Sequence, residues 1–217
     1  MAELGETTDP KQLIPGDVSA IASTMWAMRT YGDTLAQAGT GLSRIDTTGG
    51  WRSGAADRFR AAYSGEPSRW TEAGTSFHNA ADAIDGYAST LGWAQGRAQD
   101  AINLWAQGVH ATATARAEYD KAKQGGAQVG NFVDPGAGTR QSAQEILTDA
   151  RLQLKRAGDT ANKTVGAARD KAPPEPGFWS KVGDFFGGVG SDLLHGGEDV
   201  LNGLASFGNA MINNPGD

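Results

Sequence analysis

No cysteine occurs among the 217 residues, which excludes disulfides, thiolate metal sites and cysteine nucleophiles together while leaving the compartment open. Long apolar runs are missing as well. No window reaches the roughly 18 consecutive apolar residues of a transmembrane helix. The opening MAELGETTDPKQLIPGD holds acids, two prolines and no apolar stretch, so it does not fit a cleavable signal peptide. Positive charge is in deficit: the net charge is −6, whereas a general nucleic-acid binder needs a basic face. Large aliphatic side chains are scarce, and the 39% hydrophobic share leans on alanine. Alanine favours helices but buries little area, so long, thin, two-layer packing is expected instead of a thick core.

Sequence signatures of chemistry are absent too. There is no nucleophile elbow, P-loop, zinc-ligand run or dinucleotide fingerprint. His78, His110 and His195 stand far apart in the chain, with no helical ligand spacing between any two, so a metal site would need further ligands around one of them. Asp82 and Asp85 fall on one helical face, and a solvated face accounts for them more simply than acid–base chemistry does. The expectation is a protein that is not an enzyme and has no catalytic residues, metal or cofactor.

What is present is helical periodicity. After Pro15-Gly16, Asp17 is placed to cap a helix. Val18, Ile21, Met25, Met28, Leu35 and Leu42 follow on three- and four-residue steps, with Gly32 and Gly39 in the two vacant slots. This is a heptad seam over about 17–46 with two places for close helix approach. Gly49-Gly50 marks a break, Trp51 follows, and a second helix starts at Gly54. Gly65-Glu66-Pro67 leaves either a restart near 66 or a kink open. From there Trp70, Ala73, Phe77, Ala80, Ile84, Tyr87, Leu91, Ala94, Ala98, Ala101 and Trp105 form an unbroken seam. A single helix over 66–123 would measure roughly 85 Å at 1.5 Å per residue. Core packing is the default for the aromatics on this seam, and Trp93, which lies off it, is expected to face a second element.

Gly125-Gly126 ends that helix, and the following linker carries a Pro-Gly turn with Phe132 and Val133 as docking side chains. A third helix over about 139–171 shows Ala143, Leu147, Ala150, Leu154, Ala157, Ala161 and Val165 on one stripe. Pro173-Pro174-Glu175-Pro176 is a stiff boundary. Beyond it come glycines, acids and the apolar residues Phe178, Trp179, Val182, Phe185 and Phe186. Residues 139–172 hold seven Lys/Arg against four Asp/Glu, whereas 173–217 hold one Lys against six acids. Complementary charge favours docking of the last segment on the third helix. The expected organisation is a helical hairpin over 1–124, a Pro/Gly linker over 125–138, a basic third helix over 139–172 and a Gly-rich amphipathic segment over 173–217. The fold class is all-α: an elongated helical hairpin, a third long helix and a short amphipathic helical C-terminal segment.

A hairpin with Trp51 at its turn resembles the WXG superfamily of type VII secretion substrates. More closely, an ordered set of stretches resembles the N-terminal type VII secretion-signal domain of actinobacterial polymorphic toxins. The set begins with Leu4-Gly5-Glu6-Thr7-Thr8-Asp9-Pro10 and Leu13-Ile14-Pro15-Gly16-Asp17, then Gly50-Trp51 with Ala55-Ala56-Asp57-Arg58-Phe59. Phe77-His78-Asn79-Ala80-Ala81, Leu91-Gly92-Trp93-Ala94-Gln95 and Val129-Gly130-Asn131-Phe132-Val133-Asp134-Pro135-Gly136 continue it, and Ala172-Pro173-Pro174-Glu175-Pro176-Gly177-Phe178-Trp179 closes it. The turn reads Trp-Arg-Ser-Gly, one residue longer than Trp-x-Gly. The Tyr-x-x-x-Asp/Glu signal is not present, since Leu35, Pro67, Leu91 and Lys123 follow the four tyrosines at that spacing.

The resemblance implies a secreted or cell-surface protein without a cleavable signal peptide, and a toxin or pretoxin region further along. The implied partners are the type VII secretion machinery or a small helical WXG-like protein, with an immunity protein if a toxin follows. Trp51, Gly54, Asp57 and Phe59 are the residues implied for the export turn; Trp93, Phe132, Val133, Phe178 and Trp179 are the candidates for docking. Two other readings of the residues stay open. One is a membrane-active or pore-forming protein using residues 177–214, where Gly183-x-x-x-Gly187 sits among aromatics. The other is a helical adaptor of the cell interior.

Overall fold

The computed structural model describes residues 2–49 and 52–170. Trp51 of the expected turn, Phe178 and Trp179 of the docking set, and the whole segment 173–217 lie outside the described residues. Five helices follow in order: α1 (Pro10–Leu13), α2 (Val18–Ser43), α3 (Gly54–Tyr63), α4 (Glu66–Gln124) and α5 (Ala137–Arg169). The described residues contain no strand, only an isolated bridge between Leu4 and Thr7. The all-helical architecture with its hairpin and third long helix is the one the seams anticipate. The break at Gly65 resolves as a restart, with α4 opening at Glu66. The first helix ends at Ser43, a few residues short of the expected end, and the last lies two residues earlier than expected, over Ala137–Arg169.

The described residues divide into two compact units, one of the N-terminal segment to Gly16 with Ser89–Arg156 and one of Asp17–Ala88 with residues 157–170. Both α4 and α5 contribute to each.

In the unit holding α2, Asp17 caps the helix by accepting from the Ser19 and Ala20 amides. The helix then buries Ile21, Thr24, Met28, Gly32, Leu35 and Gly39. Thr24 takes the place expected for Met25, and Val18 is exposed. A straight helix turns every 3.6 residues and drifts away from a strict heptad, which rotates the ends of the seam out of contact. Facing it, α4 buries Ala73, Phe77, Ala80, Ala81, Ile84 and Tyr87. The two helices run antiparallel, and Tyr31 meets Phe77 edge-on at 4.8 Å between ring centres. The helices approach closely at Gly32 and Gly74, and again at Gly39. A Cβ on Gly74 would lie 2.6 Å from the Gly32 carbonyl oxygen, so no larger residue fits there without parting the helices. Trp70 sits at the edge of this packing and is exposed, because Pro67 and Thr71 take the position against Gly39.

In the other unit, α4 buries Leu91, Ala94, Ala98, Ala101 and Ile102, and α5 buries Ala143, Leu147, Ala150 and Leu154. Alanine at nearly every α4 contact keeps the helices close, so the aliphatic side chains of α5 do much of the filling. The connection between them is tight as well. Backbone meets backbone where Gly136 lies against Gly108, leaving no room for a Cβ on Gly136. Leu13 and Ile14 from the N-terminal segment complete the core with 0% and 1% exposure.

Candidate functional site

The expected export turn lies between α2 and α3, and its geometry comes from short polar side chains. Asp46 accepts from both the amide and the hydroxyl of Thr48, at 2.8 and 2.6 Å. That turn motif satisfies the backbone as the chain leaves α2. The Thr48 hydroxyl, followed by its amide, holds the Asp46 carboxyl below the usual carboxylate range. Ser53 caps α3 by accepting from the Ala56 amide, and Ala56 is fully buried. Arg60 donates to the Thr47 carbonyl at 3.4 Å, and the Tyr63 hydroxyl donates to the Leu42 carbonyl at 2.6 Å. These last two bonds tie α3 back to the end of α2.

The expected turn residues stand as follows. Gly54 is the first residue of α3, and a Cβ added there would meet nothing within 4 Å among the described residues. None of those residues demands glycine by packing, and they leave the space above it open. Asp57 lies in the first turn of α3, where its charge favours the helix N-terminus, and pairs with Arg60 at 3.4 Å. Phe59 is 44% exposed and stacks on Tyr63 with centroids 5.4 Å apart and planes 22° from parallel. Gly54, Asp57 and Phe59 thus share one short helix whose attachment depends on Arg60 and Tyr63. The sequence reading passed over Asp46, Arg60 and Tyr63. Asp46-Thr47-Thr48 carried a turn signal in its residue types, but nothing near Tyr63 announces a carbonyl partner twenty-one residues back.

Acidic residues on α4 are exposed, as the solvated-face reading expects, and they are also paired across the hairpin. Arg29 reaches Asp82 at 2.8 Å and Asp85 at 3.8 Å. His78 lies 3.1 Å from Asp33. Ion pairs this open to solvent contribute about 0–1 kcal/mol and set register more than stability.

In the unit holding Ser89–Arg156, the docking candidates separate. Phe132 meets Tyr119 edge-on at 5.6 Å and lies 5.2 Å beneath the Arg116 guanidinium. Its neighbour Val133 is 82% exposed and Trp93 is 40% exposed. The linker is fastened beside them. Asp134 accepts from the Thr112 hydroxyl, from Arg140 at 2.6 Å and from the Gly136 amide at 2.9 Å. These bonds, Thr112 first and Arg140 second, hold the Asp134 carboxyl at about 2. Arg140 also donates to Thr112 at 2.6 Å and to the Gly108 carbonyl at 3.3 Å.

A second feature that the sequence reading passed over is the N-terminal segment itself. Arg151 of α5 donates to the carbonyl oxygens of Ala2 and Leu13 at 3.1 and 3.3 Å, and to Glu3 at 3.2 Å. Gln95 of α4 donates to the carbonyls of Ile14 and Gly16 at 3.1 and 2.9 Å. The apolar pair Leu13-Ile14 beside Pro15-Gly16 was the one available sign that this stretch is buried.

Among the described residues, no group of three or more His, Cys, Asp or Glu is placed to hold a metal ion, and no helix is long and apolar enough to cross a membrane. The model of the family described as "Putative T7SS secretion signal domain" matches residues 2–176. No curated protein and no solved structure matches the chain.

Proposed function

The chain belongs to the family of type VII secretion signal domains, which gives it a secretion-recognition role as a secreted protein, and from that premise we propose that it acts as a non-enzymatic delivery module of a polymorphic toxin. The observation that carries this reading is the family match over residues 2–176. Recognition works by helix–helix binding: a partner helix, from the type VII machinery or from a small WXG-like protein, docks on the hairpin turn. Trp51, Gly54, Asp57 and Phe59 supply that contact. The open space above Gly54 and the exposed, stacked Phe59 support it, since a partner helix needs a close approach and an aromatic anchor. Trp93, Phe132, Val133, Phe178 and Trp179 are second docking positions. The segment 173–217 is the start of the passenger, and an immunity protein is a partner if a toxin follows.

Export of the full chain into culture medium, with and without a working type VII motor, tests the proposal. Motor-dependent export is expected. Trp51→Ala and Gly54→Ala should both lower it at least severalfold while leaving the helical circular dichroism unchanged. Gly54→Ala is the sharper probe because the added methyl clashes with nothing among the described residues. Export that ignores both the motor and these substitutions would refute the reading.

A further inference from the structure

We propose that α4 and α5 form a peptide-binding cleft whose ligand is the chain's own residues 2–16, held as a separable ligand. Met1–Gly16 and Ser89–Arg156 form one compact unit, so the segment and its cleft are neighbours in space. The attachment is made by side chains reading main-chain carbonyls. Arg151 takes those of Ala2 and Leu13, and Gln95 takes those of Ile14 and Gly16. No helical ladder joins the segment to either helix. Capture of main-chain groups by polar side chains, with buried side chains as anchors, is one way peptide-binding sites hold a ligand.

The ligand's shape is specified at both ends. Leu13 and Ile14 are the anchors, both buried. Gly5, at φ +94°, passes so close to Trp105 that a Cβ would lie 2.8 Å from its indole nitrogen. Gly16, at φ +141°, passes Leu91 with only 2.7 Å for the same atom. Both positions need glycine for backbone conformation as well as for space.

The segment also carries its own internal bonds. The Ala2 amide donates to the Gln12 carbonyl, the Ile14 amide to that of Pro10, and Asp9 caps the short helix α1. A ligand folded on itself loses less freedom on binding, so it binds more tightly for the same contacts. Arg151 is the central contact. Its Nε is buried without a hydrogen-bond partner among the described residues, so the two Nη groups make its polar contacts to the segment.

Lys11 is the first Lys or Arg in the chain and the next is Arg29, so tryptic loss of eleven residues reports release of the segment. Lys11 and Gln12 are exposed but lie in α1, next to buried Leu13, and a protease takes its substrate as extended chain, so the bond after Lys11 is cut readily only when α1 unwinds as the segment leaves the cleft. In the full chain, Arg151→Met should speed this cut at least tenfold while the helical circular dichroism stays unchanged. Equal cutting rates, or faster cutting seen only with general loss of helix, would overturn the proposal. A second measurement supplies the ligand from outside. Full-length protein carrying Leu13→Asp and Ile14→Asp has a disabled segment and an intact cleft. It should bind a fluorescent peptide of residues 2–16, with a rise in anisotropy, and Arg151→Met in that background should weaken binding tenfold or more. No binding at roughly millimolar peptide, the effective concentration a short tether provides, would equally overturn it.

Discussion

Asp134 shows how much one side chain organises at a linker. Its carboxylate gathers Thr112, Arg140 and the Gly136 amide at the place where Gly136 presses on Gly108. Those partners favour the charged form and lower its pKa from 3.8 to about 2. A carboxyl whose folded value lies below its unfolded one contributes stability that is complete above the unfolded value. The contribution is lost as pH falls through the folded one, so the window here runs from just below pH 4 down to about 2. Asp134→Asn keeps an acceptor for Thr112 but drops the charge facing Arg140. Urea midpoints measured against pH should show the variant less stable at neutral pH. Its acid-induced loss across that window should also be smaller than in the parent. Parallel curves for the two proteins would mean that Asp134 contributes shape and no charge.

At the scale of the element, the helices were legible because their contacts repeat. Three- and four-residue steps place a seam on one face whatever it packs against, and Asp17 marks its own helix start. The Gly32 and Gly39 slots were read as points of close approach, and Gly74 on α4 is the partner of the first. The N-terminal segment was illegible for the opposite reason. Its fixing contacts are single, they join residues far apart in sequence, and they land on carbonyls that every residue possesses. At the turn, motif and resemblance point to Gly54 and Phe59 as candidates, whereas Tyr63 and Arg60 act through backbone partners that no pattern displays. One substitution pair checks the packing argument within α4. Gly74→Ala pushes a methyl against the Gly32 carbonyl and the Ala36 amide. Overpacking of this kind costs about 1–3 kcal/mol, partly offset by about 1 kcal/mol of helix propensity. A net loss of up to about 2 kcal/mol is expected by urea titration. Gly96→Ala meets nothing and should gain up to about 1 kcal/mol from propensity alone. If both variants gain stability, the close approach at Gly74 is not a constraint.

For the whole molecule, the family match stops at residue 176, on the last proline of the Pro173-Pro174-Glu175-Pro176 run. If recognition resides in the matched part, a chain ending at 176 should reach the culture medium as efficiently as the full chain under the same motor. Retention of the shorter chain in the cell would move part of the signal into residues 177–217. The same pair of proteins separates delivery from membrane activity: liposome leakage caused by the full chain and absent from the shorter one would assign that activity to the tail.

The carbonyl of Ala2 is gripped by Arg151 and its amide by Gln12, and this has a practical side. Any tag or fluorescent reporter fused ahead of Ala2 would tug on the anchored end of the segment, so secretion assays built on such fusions would report a loosened protein. Epitopes placed behind the proline run leave that grip undisturbed, and they are the sounder choice for tracking the chain out of the cell.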